Sequence, residues 1–161
     1  MKIHIIGPSG SGKTTLAQKL SNQYKIPFYE LDDIFWDNSD GKFNKKRDPA
    51  KRNELLQNIL QNKNWIIEGV QYSWLKDSFS QADIIYFMNI SPFICRFRII
   101  KRFIIRKWKC QNESLPSLIS LLKWTKKFYQ VNLLEIKEML QPYENKVIII
   151  NKRKDIDKIV Y

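Results

Sequence analysis

Five short apolar runs punctuate the chain: Lys2–Ile6, Pro27–Leu31, Trp65–Ile67, Ile84–Met88 and Lys146–Ile150. Four are rich in Ile, Val, Phe or Tyr, the side chains that fill buried strands, and Trp65–Ile67 is the shortest. Between them, apolar residues recur at helical spacing. Lys13–Tyr24 sets Leu16 and Leu20 one turn apart, and Arg52–Gln61 offers Leu55, Leu56, Ile59 and Leu60. Pro92–Lys109 and Ser117–Leu140 carry the longest helical patterns, and Asp155–Val160 reads as a short terminal helix. Strands alternating with helices predict an α/β fold, with a parallel sheet covered on both faces.

Two interruptions break this alternation. Residues 37–51 are polar and turn-rich, which predicts a mobile flap before the next helix. Residues 109–116 separate the two longest helical patterns, with Ser114 or Ser117 placed to cap the second. No internal repeat or low-complexity linker divides the chain. Its 161 residues fit one domain, large enough to bury a core without disulfides or a structural metal.

Composition narrows the chemistry. Two cysteines, Cys95 and Cys110, exclude a disulfide-dense scaffold and four-cysteine zinc sites, and one histidine, His4, argues against a histidine-based metal site. His4 lies in the first strand run and reads as a core residue. The 28 Lys and Arg against 16 Asp and Glu give a net charge of +12, which attracts polyanions. The apolar stretch Phe93–Trp108 carries six basic residues, so it does not read as a membrane span. With no targeting segment visible, the expectation is a cytoplasmic protein with free thiols and no membrane partner.

The strongest motif is Gly7-Pro8-Ser9-Gly10-Ser11-Gly12-Lys13-Thr14-Thr15, which fits G-x-x-x-x-G-K-[ST]. A strand precedes it and an amphipathic helix follows. Glycines let the backbone turn back and aim N–H groups at phosphate oxygens, and the helix adds the positive end of its dipole. Lys13 reaches the β- and γ-phosphates of a nucleoside triphosphate, the Thr14 hydroxyl ligates Mg²⁺, and Thr15 lies near the α-phosphate. ATP and Mg²⁺ are therefore the expected co-substrate and metal.

Acidic residues follow two strand runs. In open parallel sheets ligands bind beyond the carboxyl ends of the strands. Glu68, after Trp65-Ile66-Ile67, is placed to support Mg²⁺ or act as a general base. Asp32 or Asp33 is placed to orient or deprotonate an acceptor hydroxyl. Phe35 and Trp36 offer an apolar wall or a stacking surface; core packing is the alternative.

On a helical wheel Phe93, Phe97, Ile100, Ile104 and Trp108 share one face, and Arg98, Arg102, Arg106 and Lys109 lie roughly opposite. No acid occurs from Ile84 to Asn112. Arginine's planar, permanently charged fork suits phosphate, so Arg98, Arg102 and Arg106 are candidates to clamp a transferring phosphoryl group. A solvated face and contact with a nucleic-acid backbone are the competing readings. Arg47 and Arg52, in the flap's basic cluster, could grip an acceptor phosphate, although a solvated loop explains them as well.

Taken together, Gly-Pro-Ser-Gly-Ser-Gly-Lys-Thr-Thr-Leu-Ala, Tyr-Glu-Leu-Asp-Asp-Ile-Phe-Trp, Trp-Ile-Ile-Glu-Gly-Val and the Arg98, Lys101, Arg102, Arg106 series resemble the bacterial DNA topology modulation proteins, which are related to adenylate kinases. The resemblance implies a P-loop kinase fold, similar to nucleoside monophosphate kinases, with a five-stranded parallel sheet in the order 2-3-1-4-5. It implies ATP·Mg²⁺ at Gly7–Thr15 and a helical lid formed by the arginines of residues 92–109. It places Asp32 where shikimate-kinase-like relatives carry an acidic residue near metal or substrate, and Glu68 where adenylate kinases have Asp before Gly. Gly69-Val70-Gln71-Tyr72 then departs from the Phe-Pro-Arg that follows in adenylate kinases, so their phosphate-holding arginine is missing here. The expected activity is transfer of the γ-phosphoryl of ATP to a small acceptor, such as a nucleotide or nucleoside. The alternative is a basic DNA-binding regulator with ATP as a switch.

Overall fold

The computed structural model describes residues 1–37, 45–109 and 114–159. Residues 38–44 of the predicted flap and 110–113 of the second interruption, Cys110 included, lie outside the described residues. In chain order the elements are β1 (Lys2–Ile6), α1 (Lys13–Tyr24), β2 (Phe28–Glu30), α2 (Leu31–Phe35), β3 (Trp36–Asp37), β4 (Lys45–Lys46), α3 (Pro49–Leu60), β5 (Trp65–Gly69), α4 (Lys76–Gln81), β6 (Ile84–Met88), α5 (Pro92–Trp108) and α6 (Leu115–Lys127). A π-helical turn (Phe128–Asn132), α7 (Leu133–Leu140), a 3₁₀ stretch (Gln141–Lys146), β7 (Val147–Ile150) and α8 (Arg153–Ile159) complete it.

The central sheet is parallel throughout, in the order β2-β5-β1-β6-β7. Setting aside the small β3–β4 hairpin, this is the predicted 2-3-1-4-5. Side chains alternate across the sheet as the pleat requires. Ile6, Ile67, Ile85 and Phe87 join Leu56, Leu60, Phe79 and Leu140 on one side. Ile3, Ile5, Ile66, Tyr86 and Met88 join Leu16, Leu20 and Ile156 on the other. Both faces are buried along β1, β5 and β6, which explains why those runs read as continuously apolar, whereas Ile148 and Ile149 of the edge strand β7 are exposed. The register aligns Ile6 with Gly69 and Glu30 with Glu68, so the carboxyl ends of β1, β2 and β5 meet at one edge.

Local chemistry sets the helix ends. The Asp48 carboxylate caps α3, accepting from the N–H groups of Ala50 and Lys51, with Pro49 at the first helical position. Ser114 caps α6 through the N–H of Ser117, which settles the choice between the two serines. The predicted flap is tied at its described ends: Trp36 pairs with Lys46 and Asp37 with Lys45. The Arg47 guanidinium donates to the carbonyls of Asp33, Ile34 and Trp36.

Two long helical patterns differ from expectation. Ser117–Leu140 is helical almost throughout, but the π-turn divides it. That wider turn buries Phe128 completely and lets the Tyr129 hydroxyl donate to the Ile90 carbonyl at 2.5 Å. In α5 the buried residues are Cys95, Ile99 and Phe103, whereas the apolar stripe from Phe93 to Trp108 faces outward. The inward face is fixed by the loop after β1: a Cβ on Gly10 would sit 2.6 Å from the Cys95 carbonyl oxygen and 3.1 Å from Ile99 Cγ1.

His4 is buried in β1, with Nδ1 2.7 Å from the Ser78 hydroxyl and its ring against Phe79. Burial disfavours the imidazolium and pulls the pKa from 6.5 down to about 3. The unfolded chain therefore binds a proton that the folded chain refuses. The resulting stability is complete above about pH 6.5 and declines as pH falls toward 3. Wild-type stability should fall progressively across that window on account of this group. Denaturant titrations of wild type and His4→Gln between neutral pH and pH 4 should show a shallower decline in the variant. Parallel declines would remove His4 from the account.

Candidate active site

The loop between β1 and α1 wraps a buried ammonium. Gly10 and Gly12 hold φ of 78° and 102°, the left-handed region that side chains rarely adopt, and this turns the backbone around the Lys13 side chain. Lys13 is 8% exposed. Its Nζ donates to the Pro8 carbonyl at 3.2 Å and lies 4.0 Å from Glu68 Oε2. Burial lowers the Lys13 pKa, while Glu68 and then Asp32 act in the opposite direction. Glu68, at the end of β5, is buried as well, and burial raises its pKa against the opposing influence of Lys13 and Thr14. Thr14 Oγ1 donates to Glu68 Oε1 at 2.5 Å.

These groups line a cavity of about 370 Å³ together with Ser9, Gly10, Gly12, Thr15, Asp32, Arg98 and Arg102. Glu30 lines it too, its pKa raised first by burial and then by Glu68, Asp33 and Asp32. Phosphate oxygens fit this chamber: a glycine-lined turn at a helix start surrounds an ammonium whose nearest carboxylate is 4.0 Å away. Magnesium fits as well, through hard oxygen donors. Among the described residues no group of three or more His, Cys, Asp or Glu could enclose a metal ion. The Thr14 hydroxyl and Glu68 carboxylate would instead hold Mg²⁺ directly or through water, with phosphates completing its shell.

A second cavity, of about 620 Å³, opens beside the first. Ser9, Asp32, Val70 and Leu121 line both. Its walls are aromatic: Phe35 and Trp36 pack edge to face with centroids 5.0 Å apart, and Tyr72, Trp74 and Trp124 complete them. The Arg52 guanidinium lies 4.4 Å from the Trp74 ring centroid and 5.4 Å from that of Phe35. Asp32 Oδ1 accepts from Gln71 Nε2 at 2.9 Å. The Tyr72 hydroxyl donates to Glu135 and accepts from Asn132 Nδ2, which ties this wall to the π-turn and α7.

The sequence candidates thus separate by position. Ser9, Gly10, Gly12, Lys13, Thr14, Thr15, Glu68, Arg98 and Arg102 surround the first cavity. Asp32 sits where the cavities join, and Phe35 and Trp36 line the second. Gly7, Pro8 and Ser11 shape the loop without lining either one. Asp33 is exposed and lines neither, although its carbonyl holds Arg47. Arg106 lines a separate cleft between α5 and α6, with Phe103 and Ser117. Arg98 Nη1 donates to the carbonyls of Gly10 and Ser11 at 3.3 and 2.9 Å, so it braces the loop from α5.

Sequence reasoning passed over Glu30, Trp74, Leu121, Trp124 and Asn132. Glu30 carried a signal, an acid ending a strand; the others meet only through long-range folding. Among the described residues no helix is long and apolar enough to cross a membrane.

Comparison with known proteins places this architecture. Over 99% of its length the chain is similar to the shikimate kinase of Bacteroides thetaiotaomicron, at 18% identity, a TM-score of 0.57 and 94% of that chain. It is similar to the shikimate kinase of Acinetobacter baumannii, solved with shikimate, at 16% identity and a TM-score of 0.62, over 98% of this chain and 89% of that one. A gluconokinase from Sinorhizobium meliloti 1021 matches at 16% identity and a TM-score of 0.58, over 99% of this chain and 86% of that one. At such identities the likeness is one of fold. No curated protein matches the chain. The DNA topology modulation family is not among these findings, and they lend no support to a DNA-binding regulator. A family model described as an AAA domain matches residues 3–113. With the sheet order and phosphate-loop geometry already in place, that match covers most of the molecule: the chain belongs to the AAA domain family and has the fold of the P-loop kinases.

Proposed function

We propose that this protein is a cytoplasmic phosphotransferase that moves the γ-phosphoryl group of ATP, bound with Mg²⁺, to a small hydroxylated acceptor. One observation carries the reading: the chamber around buried Lys13 joins a second, aromatic-walled chamber at Asp32. A binding module or switch needs the first chamber alone; a transferase needs two that meet.

The role of each residue follows from where it sits. Lys13 neutralises charge on the phosphates, its ammonium lying 4.0 Å from Glu68. Bound Mg²⁺ supplies further neutralisation of phosphate charge; Thr14 and Glu68 orient it. Asp32 keeps one carboxylate oxygen on Gln71, which leaves the other for an acceptor hydroxyl, so it is the proposed base. Arg98 holds the Gly10 and Ser11 carbonyls and so braces the phosphate-binding loop. Arg102 borders the first chamber and stabilises the transferring group, while α5 and Leu121 help exclude water, the competing nucleophile. Arg106 serves this lid from one turn further out.

Phe35 and Trp36 form the acceptor wall, and Asp33 supports it through Arg47. Arg52 offers a charge for an acidic group on the acceptor. The kinases similar in fold act, by their names, on shikimate, gluconate and sugars. Five flat rings (Phe35, Trp36, Tyr72, Trp74 and Trp124) favour an acceptor that itself carries a ring, as a nucleoside or nucleotide does. The motif resemblance to DNA topology modulation proteins stands beside this reading and adds no chemistry to it.

ADP release from ATP·Mg²⁺ against a panel of nucleosides, nucleoside monophosphates and cyclic hydroxy acids tests the proposal. Wild type should respond to one acceptor class, and Lys13→Ala should lose roughly 10²–10³-fold in kcat while remaining folded. Equal turnover by the two proteins would overturn the role of Lys13. Asp32→Asn should lower kcat by roughly 10²–10⁴-fold with ATP affinity retained, as loss of a general base does. Arg102→Ala should reduce kcat and kcat/KM together with little change in ATP affinity; a loss confined to affinity would make Arg102 a ground-state ligand.

A further inference from the structure

The outward face of α5 is unlike the rest of the surface. Phe93, Phe97, Ile100, Ile104 and Trp108 recur at intervals of four, three, four and four residues, a single stripe about 22 Å long. Phe93 and Trp108, at its two ends, are 79% and 86% exposed. A monomeric surface seldom leaves so many large apolar side chains in water along one line. None of the five lines either chamber of the candidate site.

The charge around the stripe is of one sign. On the helical wheel Arg96 and Lys107 flank it on one side and Lys101 on the other, and all three are exposed. Among the described residues none of them forms an ion pair. The chain has no acid from Ile84 to Asn112, and Glu113 stands alone before Glu135. Whatever covers the stripe must be apolar where it meets the rings and anionic along both margins.

We propose that this face of α5 docks the protein peripherally on an anionic lipid bilayer. The geometry favours lipid over other occupants. The stripe is the crest of a helix and not a groove, so it offers no trough for a peptide, and a soft interface accepts rings that project singly. Two copies of the face packed together would bring Arg96, Lys101 and Lys107 against their own counterparts. Anionic headgroups instead complement both margins while Phe93 and Trp108 anchor the helix ends at interfacial depth. The sequence expectation was of no membrane partner, and the proposal departs from it on the exposure of this face. Because Arg98 on the same helix holds the phosphate loop, docking would fix the site's orientation relative to the bilayer.

Flotation of the full chain with phosphatidylglycerol/phosphatidylcholine vesicles, beside vesicles of phosphatidylcholine alone, tests this independently of any acceptor. Wild type should float with the mixed vesicles and far less with the neutral ones. Phe97→Ser with Trp108→Ser should cut partitioning by about tenfold or more. Lys101→Gln should cut it by about fivefold, whereas Lys63→Gln, remote in sequence and off the helix, should not. Nucleotide binding should be unchanged in all three variants, which shows that they fold. Absence of wild-type flotation would overturn the proposal. So would double-variant flotation equal to wild type, or equal losses from Lys101→Gln and Lys63→Gln. A dimer in sedimentation velocity that the double variant splits, without lipid binding, would assign the face to a second copy. Duplex DNA binding lost in the same variant, without lipid binding, would assign it to nucleic acid. Failure of the kinase assay leaves the flotation result intact, and the reverse holds.

Discussion

A buried ammonium organises this molecule. Lys13 is withdrawn from water at the start of α1, where the Pro8 carbonyl, the Glu68 carboxylate 4.0 Å away and the charge of Asp32 offset the loss of hydration. Taking a cation out of water is costly, and burial accordingly lowers the Lys13 pKa. That cost is tolerable where an anion is to arrive. Glu68 is its counterpart, held under the loop by Thr14 and destabilised by the same burial. The pair is not a close structural salt bridge, because at 4.0 Å neither partner sits at the short distance a buried pair needs to recover its desolvation.

The scaffold follows from holding that pair in place. Parallel pairing of β1 with β5 and β6 brings the carboxyl ends of the strands to one edge, and the loop must turn sharply there. Gly10 and Gly12 adopt the left-handed turn, and Gly10 leaves room for the Cys95 backbone. The carbonyls that such a loop exposes need partners of their own, and Arg98 provides them from α5. One helix therefore serves three directions. Cys95, Ile99 and Phe103 pack inward, Arg98 and Arg102 reach the cavity around Lys13, and Phe97 and Trp108 meet solvent.

The aromatic-walled chamber rests on weaker local constraints. Its walls come from α2, the turn after β5, α6 and the π-turn, which are distant in sequence. Hydrogen bonds from Gln71 to Asp32, from Tyr72 to Glu135 and from Asn132 to Tyr72 tie these pieces together. Arg47 is spent on three backbone carbonyls, whereas Arg52 lies between aromatic rings. The two arginines look equivalent in the basic cluster of the flap; folding gives them different employment.

The sequence by itself determined the sheet, the loop and the helix that follows. Continuous apolar runs mark strands buried on both faces, and the G-x-x-x-x-G-K-T spacing encodes a turn whose geometry is local. Lys13, Thr14, Glu68 and Asp32 were legible for that reason, being tied to strand ends that the topology must bring together. The outward stripe of α5 was not, because a helical wheel identifies faces without saying which one meets the core. Nor was the aromatic chamber, since Trp36, Trp74 and Trp124 approach one another only across long-range contacts. The small β3–β4 pairing and the π-turn belong to the same class. Periodicity records what each segment prefers; which face is buried and which rings share a cavity are decided by the packing of segments against one another.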